Sequence, residues 1–493
     1  MLLTGRQKRD RLRDGRRIYL GSEEVRDVTT HPAFCNAAET IISLYDFKAD
    51  PANRDLLSYE EDGGRHSLYW LRGRTREDLV RRMNAHMAIA QHSYGMIGRS
   101  PDHVAGMLTG LAMDSDVLER LHPGFGQNLI RYYEYARDND LYIVYAVIPP
   151  TGKRAAELFP GQERDDPALR VVSEDAEGVT LSGMKMLATG AAFADEVWIG
   201  NLTPIDDKFK NESITCAVPV SAPGVSFWSR QAYGRQARYA ADYPLTAQFD
   251  ESDSVLICDE VKVPWERVFL HNNGIMSRGI YIETPSNAYA NHQSNVRFWA
   301  KMGLIVGVAS QICQANGVDR IPAVREQLGR LAALEATIGA MVHGQIDAYE
   351  EWPKGYACPN RRYMYAALNW CQESYSPIID TLRTLLGGTP LQMPASIDIL
   401  ADPSLKDRFE RWWRTPSMEA LSRMKLYKLA WDLVGTEFAG RHQLYEKFYA
   451  GNSIVVRNQS DREAPWDYFH AVVNKLLDDI ETPSFAASTV AAE

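Results

Sequence analysis

The spacing of apolar residues changes twice along the chain, and these changes divide it into three regions. Up to about residue 140, apolar positions recur at the spacing of a helix with one buried face. This pattern predicts helices over residues 76–92, 102–113 and 128–137. Glu77 and Asp78 lie near the start of the first helix, where negative side chains stabilise an N-terminus.

Between about residues 141 and 270 the pattern becomes a series of short runs rich in β-branched and aromatic residues. Turn signals such as Pro223-Gly224 separate the runs. The runs predict strands over residues 141–148, 169–173, 179–187, 196–202, 213–220, 225–229 and 254–263. Many short strands in one block are typical of a barrel or a sandwich.

From about residue 280 the helical spacing returns in longer segments. It predicts helices over residues 291–316, 322–349, 363–386, 417–449 and 464–479, and such a succession favours a bundle. We therefore predict an α+β chain. Its parts are an N-terminal helical domain (1–140), a central β-barrel domain (141–275), a C-terminal helical bundle (276–481) and a flexible tail (482–493).

Composition and charge narrow the class of protein. The 493 residues are too many for one core, and 45% hydrophobic with 24% charged residues is ordinary for a globular protein. The formal net charge of -10, without a concentrated basic stretch, argues against nucleic acid as a partner. Aromatic residues reach 10%, which fits a protein with aromatic-lined pockets.

The cysteine and apolar patterns exclude further classes. The 6 cysteines are scattered without Cys-x-x-Cys spacing, so the sequence predicts no metal site. No N-terminal stretch resembles a signal peptide, and no run of about 18 apolar residues is present. We therefore expect a soluble cytoplasmic protein without a membrane partner.

The segment Gly98-Arg99-Ser100-Pro101-Asp102-His103 is the first with candidate chemistry. Arg99 and His103 are four residues apart, so a turn into a helix would bring both side chains to one pocket. Arg99 could hold a phenolate or carboxylate by charge-assisted hydrogen bonds, and His103 could exchange a proton near neutral pH. The alternative is a capped helix start with a surface arginine and a half-buried histidine.

Three further segments have both a functional and a structural interpretation. Tyr145 could reach a substrate oxygen from its strand, or be a core aromatic. The small residues around Thr189 could let a flat flavin ring approach the backbone, or form a simple turn. Gly451 and Asn452 suit a helix end, and the amides of their loop could meet an anionic cofactor group.

Taken together, these segments resemble the large, oxygenase component of the 4-hydroxyphenylacetate 3-monooxygenase family over nearly the whole chain. Six markers in order carry the resemblance: RSPD at 99–102, IPP at 148–150, LAT at 187–189, DEVKVPWERVFL at 259–270, NAYANHQ at 287–293 and YEKFYAGNS at 445–453.

The resemblance implies a fold, an activity and partners. The fold would be acyl-CoA-dehydrogenase-like, with the same order of helical domain, central β-barrel and helical bundle. The protein would be a two-component monooxygenase that hydroxylates a small phenolic or heteroaromatic substrate with O2, through a C4a-hydroperoxyflavin. A separate NAD(P)H-flavin reductase would supply reduced FAD, and the oxygenase would be a homotetramer or dimer of dimers. No Gly-x-Gly-x-x-Gly motif follows a strand, as expected for a protein that receives preformed reduced flavin.

The resemblance also assigns roles to residues. Arg99 would contact the substrate oxygen, His103 would be a base or hydrogen-bond partner, and Tyr145 would orient the ring oxygen. The hydroxyphenylacetate enzymes usually have Tyr and His at the positions of His103 and Tyr145, so the two residue types are exchanged here and the substrate is open. The residues implied to contact flavin are Thr151, Gly152, Lys153, Arg154, Thr189, Gly451, Asn452 and Ser453, and those implied to border substrate also include Asn201 and Leu202.

Three alternatives stay open. A 4-hydroxybutyryl-CoA-dehydratase-like enzyme would need cysteine ligands for an iron–sulfur cluster, but Arg99 and His103 occupy the first two ligand positions, and Trp299 stands seven residues after His292. An acyl-CoA-dehydrogenase-like enzyme would hold FAD tightly and use a carboxylate base, and its sequence motifs are missing. A non-catalytic binding protein on the same fold is the third.

Overall fold

The computed structural model describes residues 2–152 and 167–480. In the N-terminal region the α-helices are Gly5–Arg11, Cys35–Ala49, Arg54–Leu57, Arg76–His92, Pro101–Met113, Asp116–Leu121 and Phe125–Asp138. Later α-helices are Thr246–Phe249, Met276–Ile282, Ser286–Ala315, Pro322–Asp347, Arg361–Leu386, Pro403–Trp413, Ala420–Val434, Glu437–Lys447, Ser453–Arg462 and Trp466–Asp478. The predicted α+β class is confirmed.

The N-terminal helices begin and end at residues with local signals. Thr75 and Asp78 form a reciprocal capping box at the start of Arg76–His92, so the acidic residue identified there also satisfies free backbone amides. Pro101 opens the helix Pro101–Met113 and every residue of that helix is buried. This helix therefore lies inside the molecule and presents its first turn to the interior.

The central strands form two main sheets. One contains, in spatial order, Glu23–Val25, Ile18–Leu20, Val225–Ser229, Ser254–Pro264, Gly178–Lys185 and Arg170–Glu174. The other contains Val268–His271, Ile214–Pro219, Glu196–Ile199 and Ile143–Ala146. Two-stranded ribbons are formed by Ser58–Glu61 with Gly64–Ser67 and by Glu350–Trp352 with Tyr356–Cys358.

One part of the predicted division needs correction. Residues 1–140 are not only helical, because Ile18–Leu20 pairs in parallel with Val225–Ser229 and so belongs to the central sheet. Three residues are too short for a readable alternation of apolar and polar positions. The N-terminal chain therefore crosses from the helical region to the strands and back.

The C-terminal region is helical, as predicted, but one predicted helix is two. The segment 417–449 breaks between Ala420–Val434 and Glu437–Lys447, with Gly435 after the first helix and Thr436 capping the second through the amide of Ala439. The helices Pro403–Trp413 and Ser453–Arg462 were not predicted. Both are short, and each is capped by an Asp or Asn side chain, at Asp402 and Asn452.

The helix Ser286–Ala315 is the central element of the bundle. It packs against Arg76–His92, Pro101–Met113, Pro322–Asp347 and Arg361–Leu386. By length and composition it could cross a membrane, but most of the qualifying stretch is buried inside the protein, as in a core helix. The hydrophobic core is continuous from this helix to both other regions.

Candidate active site

A cleft of about 80 Å³ lies where the three regions meet. Its walls come from the helix Pro101–Met113, the strand Ile143–Ala146, the helices Ser286–Ala315 and Arg361–Leu386, and the chain after Glu437–Lys447. Most lining side chains are apolar or aromatic, with few polar groups. This is the usual composition of a site for a small organic molecule.

Arg99 lies directly behind the wall of this cleft. Only 8% of the residue is exposed, and its guanidinium carbon lies 3.9 Å from the centre of the Tyr449 ring and 4.8 Å from that of Tyr145. Nη2 donates to the carbonyl oxygen of Tyr449 (2.7 Å), and Nη1 donates to Nε2 of His103 (2.7 Å). No carboxylate among the described residues forms an ion pair with this guanidinium.

The backbone that carries Arg99 is fixed from several directions. The amides of Gly98 and Arg99 both donate to Oε2 of Glu251, and the Tyr142 hydroxyl donates to the Arg99 carbonyl oxygen. Glu251 is in turn paired with Arg441 at 2.8 Å. A Cβ on Gly98 would lie 2.0 Å from the Tyr445 hydroxyl oxygen, so no larger residue fits there.

His103 lies in the first turn of Pro101–Met113, and its ring lines the cleft. Nδ1 is 3.1 Å from Oε1 of Gln293, whose amide nitrogen donates to Ser100 and Asp102. The amide oxygen of Gln293 can therefore only accept, so the His103 proton lies on Nδ1 and Nε2 is an acceptor. Burial lowers the pKa of His103 well below its ordinary value, and nearby Arg99 lowers it further. His103 is thus neutral near pH 7.

Behind His103, a buried carboxylate holds the network together. Asp102 is 0% exposed; Oδ1 accepts from Ser100 and Gln293, and Oδ2 lies 2.7 Å from Nδ1 of His86. Since His103 and Gln293 lie on different helices, the network fixes the ring orientation across the helix interface. The alternative of a surface arginine and a half-buried histidine is wrong, because Arg99 and His103 are both buried.

Tyr145 faces the same end of the cleft. Its ring lines the cleft, with its centre 5.6 Å from that of His103, and among the described residues its hydroxyl has no hydrogen-bond partner. Burial raises the pKa of Tyr145, so the hydroxyl is a proton donor at neutral pH. Arginine and tyrosine therefore place a cation and a hydrogen-bond donor together, and the histidine acceptor is bonded to the arginine.

Two family models match this chain. A family model described as 4-hydroxyphenylacetate 3-hydroxylase N terminal matches residues 4–270, and one described as 4-hydroxyphenylacetate 3-hydroxylase C terminal matches residues 277–478. The chain belongs to the 4-hydroxyphenylacetate 3-hydroxylase family. The resemblance found in the sequence is thereby confirmed.

Individual relatives of this family match over most of their length. The pyoverdin chromophore biosynthetic protein PvcC of Pseudomonas aeruginosa is 30% identical, over 97% of this chain and 96% of that protein. The 4-hydroxyphenylacetate 3-monooxygenase oxygenase component of Thermus thermophilus is 32% identical, over 89% of each. A crystal structure of such an oxygenase component complexed with FAD and 4-hydroxyphenylacetate has a TM-score of 0.91, 29% identity, and coverage of 97% of this chain and 98% of that one.

The residues that the family resemblance assigned to flavin differ in placement. Thr189 is buried and its hydroxyl donates to Asp253 at 2.7 Å, so it is already engaged. Thr151 and Gly152 are exposed at the edge of the described residues. Lys153 and Arg154 lie outside the described residues, as does the predicted tail from residue 482.

The loop from Gly451 to Ser453 begins a helix, which corrects the prediction that it ends one. The preceding helix ends at Lys447, and Asn452 is the N-cap of Ser453–Arg462, accepting from the amide of Val455 at 3.0 Å. The error arose because Gly-Asn suits either end of a helix. The neighbouring Ala450 and Val455 line the cleft, so this helix N-terminus lies beside it.

Of the two residues predicted to border substrate, one lines the cleft. Leu202 is part of its wall. Asn201 is not: its side-chain oxygen accepts from Lys185 at 2.5 Å and its amide donates to the Glu212 carbonyl oxygen at 3.1 Å. Asn201 therefore fixes the backbone that presents Leu202.

The structure does not favour the dehydratase-like alternative. Arg99 and His103 stand where the first two cluster ligands would be, and they bond to one another. Within residues 2–152 and 167–480, no group of three or more His, Cys, Asp and Glu side chains is arranged to hold a metal ion. The absence of a metal stays a prediction.

Gln293, His86 and the carboxylate of Asp102 were not identified from the sequence. Gln293 is 190 residues from His103, and only the docking of two helices brings them together. The one available signal was the marker NAYANHQ, which ends at Gln293.

We predict that Gln293→Met lowers coupled product formation about 10- to 100-fold, the usual effect of removing a group that orients a site residue. The variant deprives the His103 Nδ1 proton of its acceptor, so the ring can turn. The measurement is product formed per reduced flavin consumed, together with its pH profile. Gln345→Met is the matched control, because Gln345 makes the same bond to the buried His292 (2.8 Å) outside the cleft wall. Equal losses in both variants would contradict the role of Gln293.

Proposed function

We propose that this chain is the oxygenase component of a two-component, reduced-FAD-dependent monooxygenase that hydroxylates a small phenolic substrate. One observation carries the proposal: Arg99, His103 and Tyr145 meet at one end of an aromatic-lined cleft between strands and bundle. Membership in the family and the FAD complexes of related structures support FAD as cofactor and the enzyme class.

Two features of the described residues suit a flavin beside the cleft. The cleft joins strand and bundle walls, and a helix N-terminus, which favours anionic groups, lies beside it. Bound reduced FAD supplies the activated oxygen in this class of enzyme. The protein's part is to exclude water with apolar side chains such as Met107 and Leu368, and to hold the substrate ring in position.

Two side chains act on the substrate oxygen, and a third, His103, orients one of them. Arg99 stabilises the phenolate oxygen by charge, which makes the ring electron-rich. His103 accepts the hydrogen bond of Arg99 Nη1 at Nε2 and so orients the guanidinium, and its lowered pKa keeps the ring neutral. Tyr145 donates its hydroxyl proton to the same oxygen. The exchange of His and Tyr relative to the hydroxyphenylacetate enzymes puts the hydroxyl donor on the strand, at Tyr145, and the imidazole on the helix, at His103.

The deciding experiment supplies reduced FAD from a general flavin reductase with NADH and O2, and screens hydroxyaromatic compounds. Hydroxylated product in excess of hydrogen peroxide for at least one phenol is the expected result. Binding of reduced FAD with peroxide only, for every phenol tested, would reject the hydroxylase. Failure to bind reduced FAD would favour the binding-protein alternative.

The proposal also includes the partner, the location and the oligomeric state of the protein. We expect a separate NAD(P)H-flavin reductase as partner and a cytoplasmic location. A homotetramer is supported by the helix Trp466–Asp478, which has no buried residue and exposes the apolar side chains Val473 and Leu477 one turn apart. We predict that Val473→Glu with Leu477→Glu yields a smaller assembly than the wild type in analytical ultracentrifugation. An unchanged mass would exclude this helix from the interface.

A further inference from the structure

One tyrosine in the wall of the cleft holds its hydroxyl away from the cleft. Tyr281 belongs to the helix Met276–Ile282, is 1% exposed and lines the cleft. Its hydroxyl oxygen accepts a hydrogen bond from Nε1 of Trp198 at 2.8 Å. Trp198 is fully buried in the strand Glu196–Ile199 and lies outside the cleft wall. The hydroxyl of Tyr281 therefore lies on the strand side, and its ring forms the wall.

This hydroxyl occupies the space that a side chain at position 200 would take. A Cβ on Gly200 would lie 2.5 Å from the hydroxyl oxygen of Tyr281, which is too close for a real contact. The next nearest atoms, Nε1 of Trp198 and Oγ1 of Thr215, would lie at 3.5 and 3.7 Å, which are ordinary contacts. Gly200 does not have a positive φ, so its backbone conformation does not require glycine. Glycine at this position therefore makes room for the tyrosine hydroxyl.

The strand side of Tyr281 is closely packed. The Trp198 ring stacks on that of Phe269, with ring centres 4.8 Å apart and planes at 8°. Trp198 is also the register partner of Tyr145 on the neighbouring parallel strand. A packed interior of this kind cannot take an added group without displacing a neighbour. A side chain at position 200 would therefore push the Tyr281 ring towards the cleft, whose volume is about 80 Å³.

We propose that position 200 determines the size of the ring substituents that the cleft accepts, and that it does so by setting the position of the Tyr281 ring. This inference rests on the proposed function and adds to it a specificity-determining residue. Glycine keeps the wall back, whereas alanine would narrow the cleft without contacting the substrate or Arg99. One methylene group in a hydrophobic pocket changes discrimination by about 10- to 200-fold, so a small shift of the wall has a measurable effect.

The test measures the binding of phenols that differ only in size. The probes are phenol and the methyl-, ethyl- and propylphenols substituted at the meta or para position, measured by equilibrium dialysis in the presence of FAD. The largest phenol that the wild type binds should lose affinity about 10- to 100-fold in Gly200→Ala. Adding Tyr281→Phe to Gly200→Ala should restore it, because the colliding oxygen is then gone and the other two distances are ordinary.

Two further variants separate the effect from damage to the fold. Tyr281→Phe alone should bind every phenol as the wild type does, because its hydroxyl is directed to Trp198 and not to the cleft. Gly73→Ala is the matched control. Its Cβ would also approach a tyrosine hydroxyl, that of Tyr289 at 3.1 Å, but outside the cleft wall, so the affinities should not change.

An unchanged affinity of Gly200→Ala for the largest phenol would overturn the inference. A loss that Tyr281→Phe does not restore would also overturn it, since the cause would then be the backbone of Asn201 and Leu202. If Gly200→Ala does not fold, Tyr281→Phe alone decides: weaker binding of phenol would place the hydroxyl in the cleft and reject the inference, and unchanged binding supports it. Dialysis needs no turnover, so binding without hydroxylation rejects the hydroxylase alone, whereas binding of no phenol rejects both.

Discussion

Arg99→Ala is expected to lower product formation about 10²- to 10³-fold while reduced flavin is still consumed. The guanidinium has no carboxylate partner among the described residues, and it borders the two aromatic side chains Tyr145 and Tyr449 of the cleft. Without it, the phenolate is no longer stabilised in a water-poor site, and the ring loses reactivity. Activated oxygen should then leave as hydrogen peroxide. The measurement is the ratio of product to peroxide per NADH oxidised.

Structural damage can be separated from the loss of charge. Arg99→Lys keeps a cation but cannot bond His103 and Tyr449 at once, so it should recover only part of the coupling. Guanidinium ion added to Arg99→Ala should restore some product, which a misfolded site would not allow. Full coupling in Arg99→Ala would refute the role of Arg99.

Much of the architecture could be predicted because most elements have a local signal. Val225–Ser229 was predicted to the residue, since its run is bounded by turn residues. Arg76–His92 was likewise predicted to the residue, from its apolar spacing and from Glu77 and Asp78 near its start. The three-residue strand Ile18–Leu20 was missed because its stability comes from a partner about two hundred residues away, which no local pattern reveals.

The residues of the site likewise could be predicted only where they have a local signal in the sequence. Arg99 and His103 could be paired from sequence because a helical turn brings positions four apart together. Gln293 could not, because its contact depends on how two helices pack. The resemblance assigned Asn201 to the border of the substrate, but its side chain bonds Lys185. Successive side chains at a strand end point to opposite faces, so a shift of one residue turns a side chain away from the site.

A buried ion cluster under the site should control stability. Glu446 is 2% exposed and pairs with Arg297 through both carboxylate oxygens (2.6 and 2.7 Å) and with Lys301 at 2.5 Å. Arg297 also donates to the Gly95 carbonyl oxygen, and its guanidinium carbon lies 4.8 Å from the Tyr449 ring centre. The cluster therefore supports both the chain that leads to Arg99 and the ring that covers it.

Glu446→Gln is expected to lower the free energy of unfolding by about 3–5 kcal/mol, because it leaves two buried cations without a counter-ion. Urea denaturation followed by fluorescence measures the change. Glu373→Gln removes the carboxylate of an exposed pair with Arg457 and should change stability by less than about 1 kcal/mol. A deficit as small as that of the control would mean that the cluster contributes no net stability.

The pH dependence of this loss of unfolding free energy tests whether the lost charge of Glu446 is its cause. Burial alone would raise the pKa of Glu446, but Arg297 and Lys301 outweigh it and hold the pKa at about 2, below the ordinary 4.5. A carboxylate with a lowered folded pKa stabilises the protein above its unfolded pKa, and this contribution is lost as pH falls towards the folded value. The difference between wild type and Glu446→Gln should therefore be constant between about pH 5 and 7 and shrink between roughly pH 4.5 and 2. A difference independent of pH across that range would assign the loss to packing instead of charge.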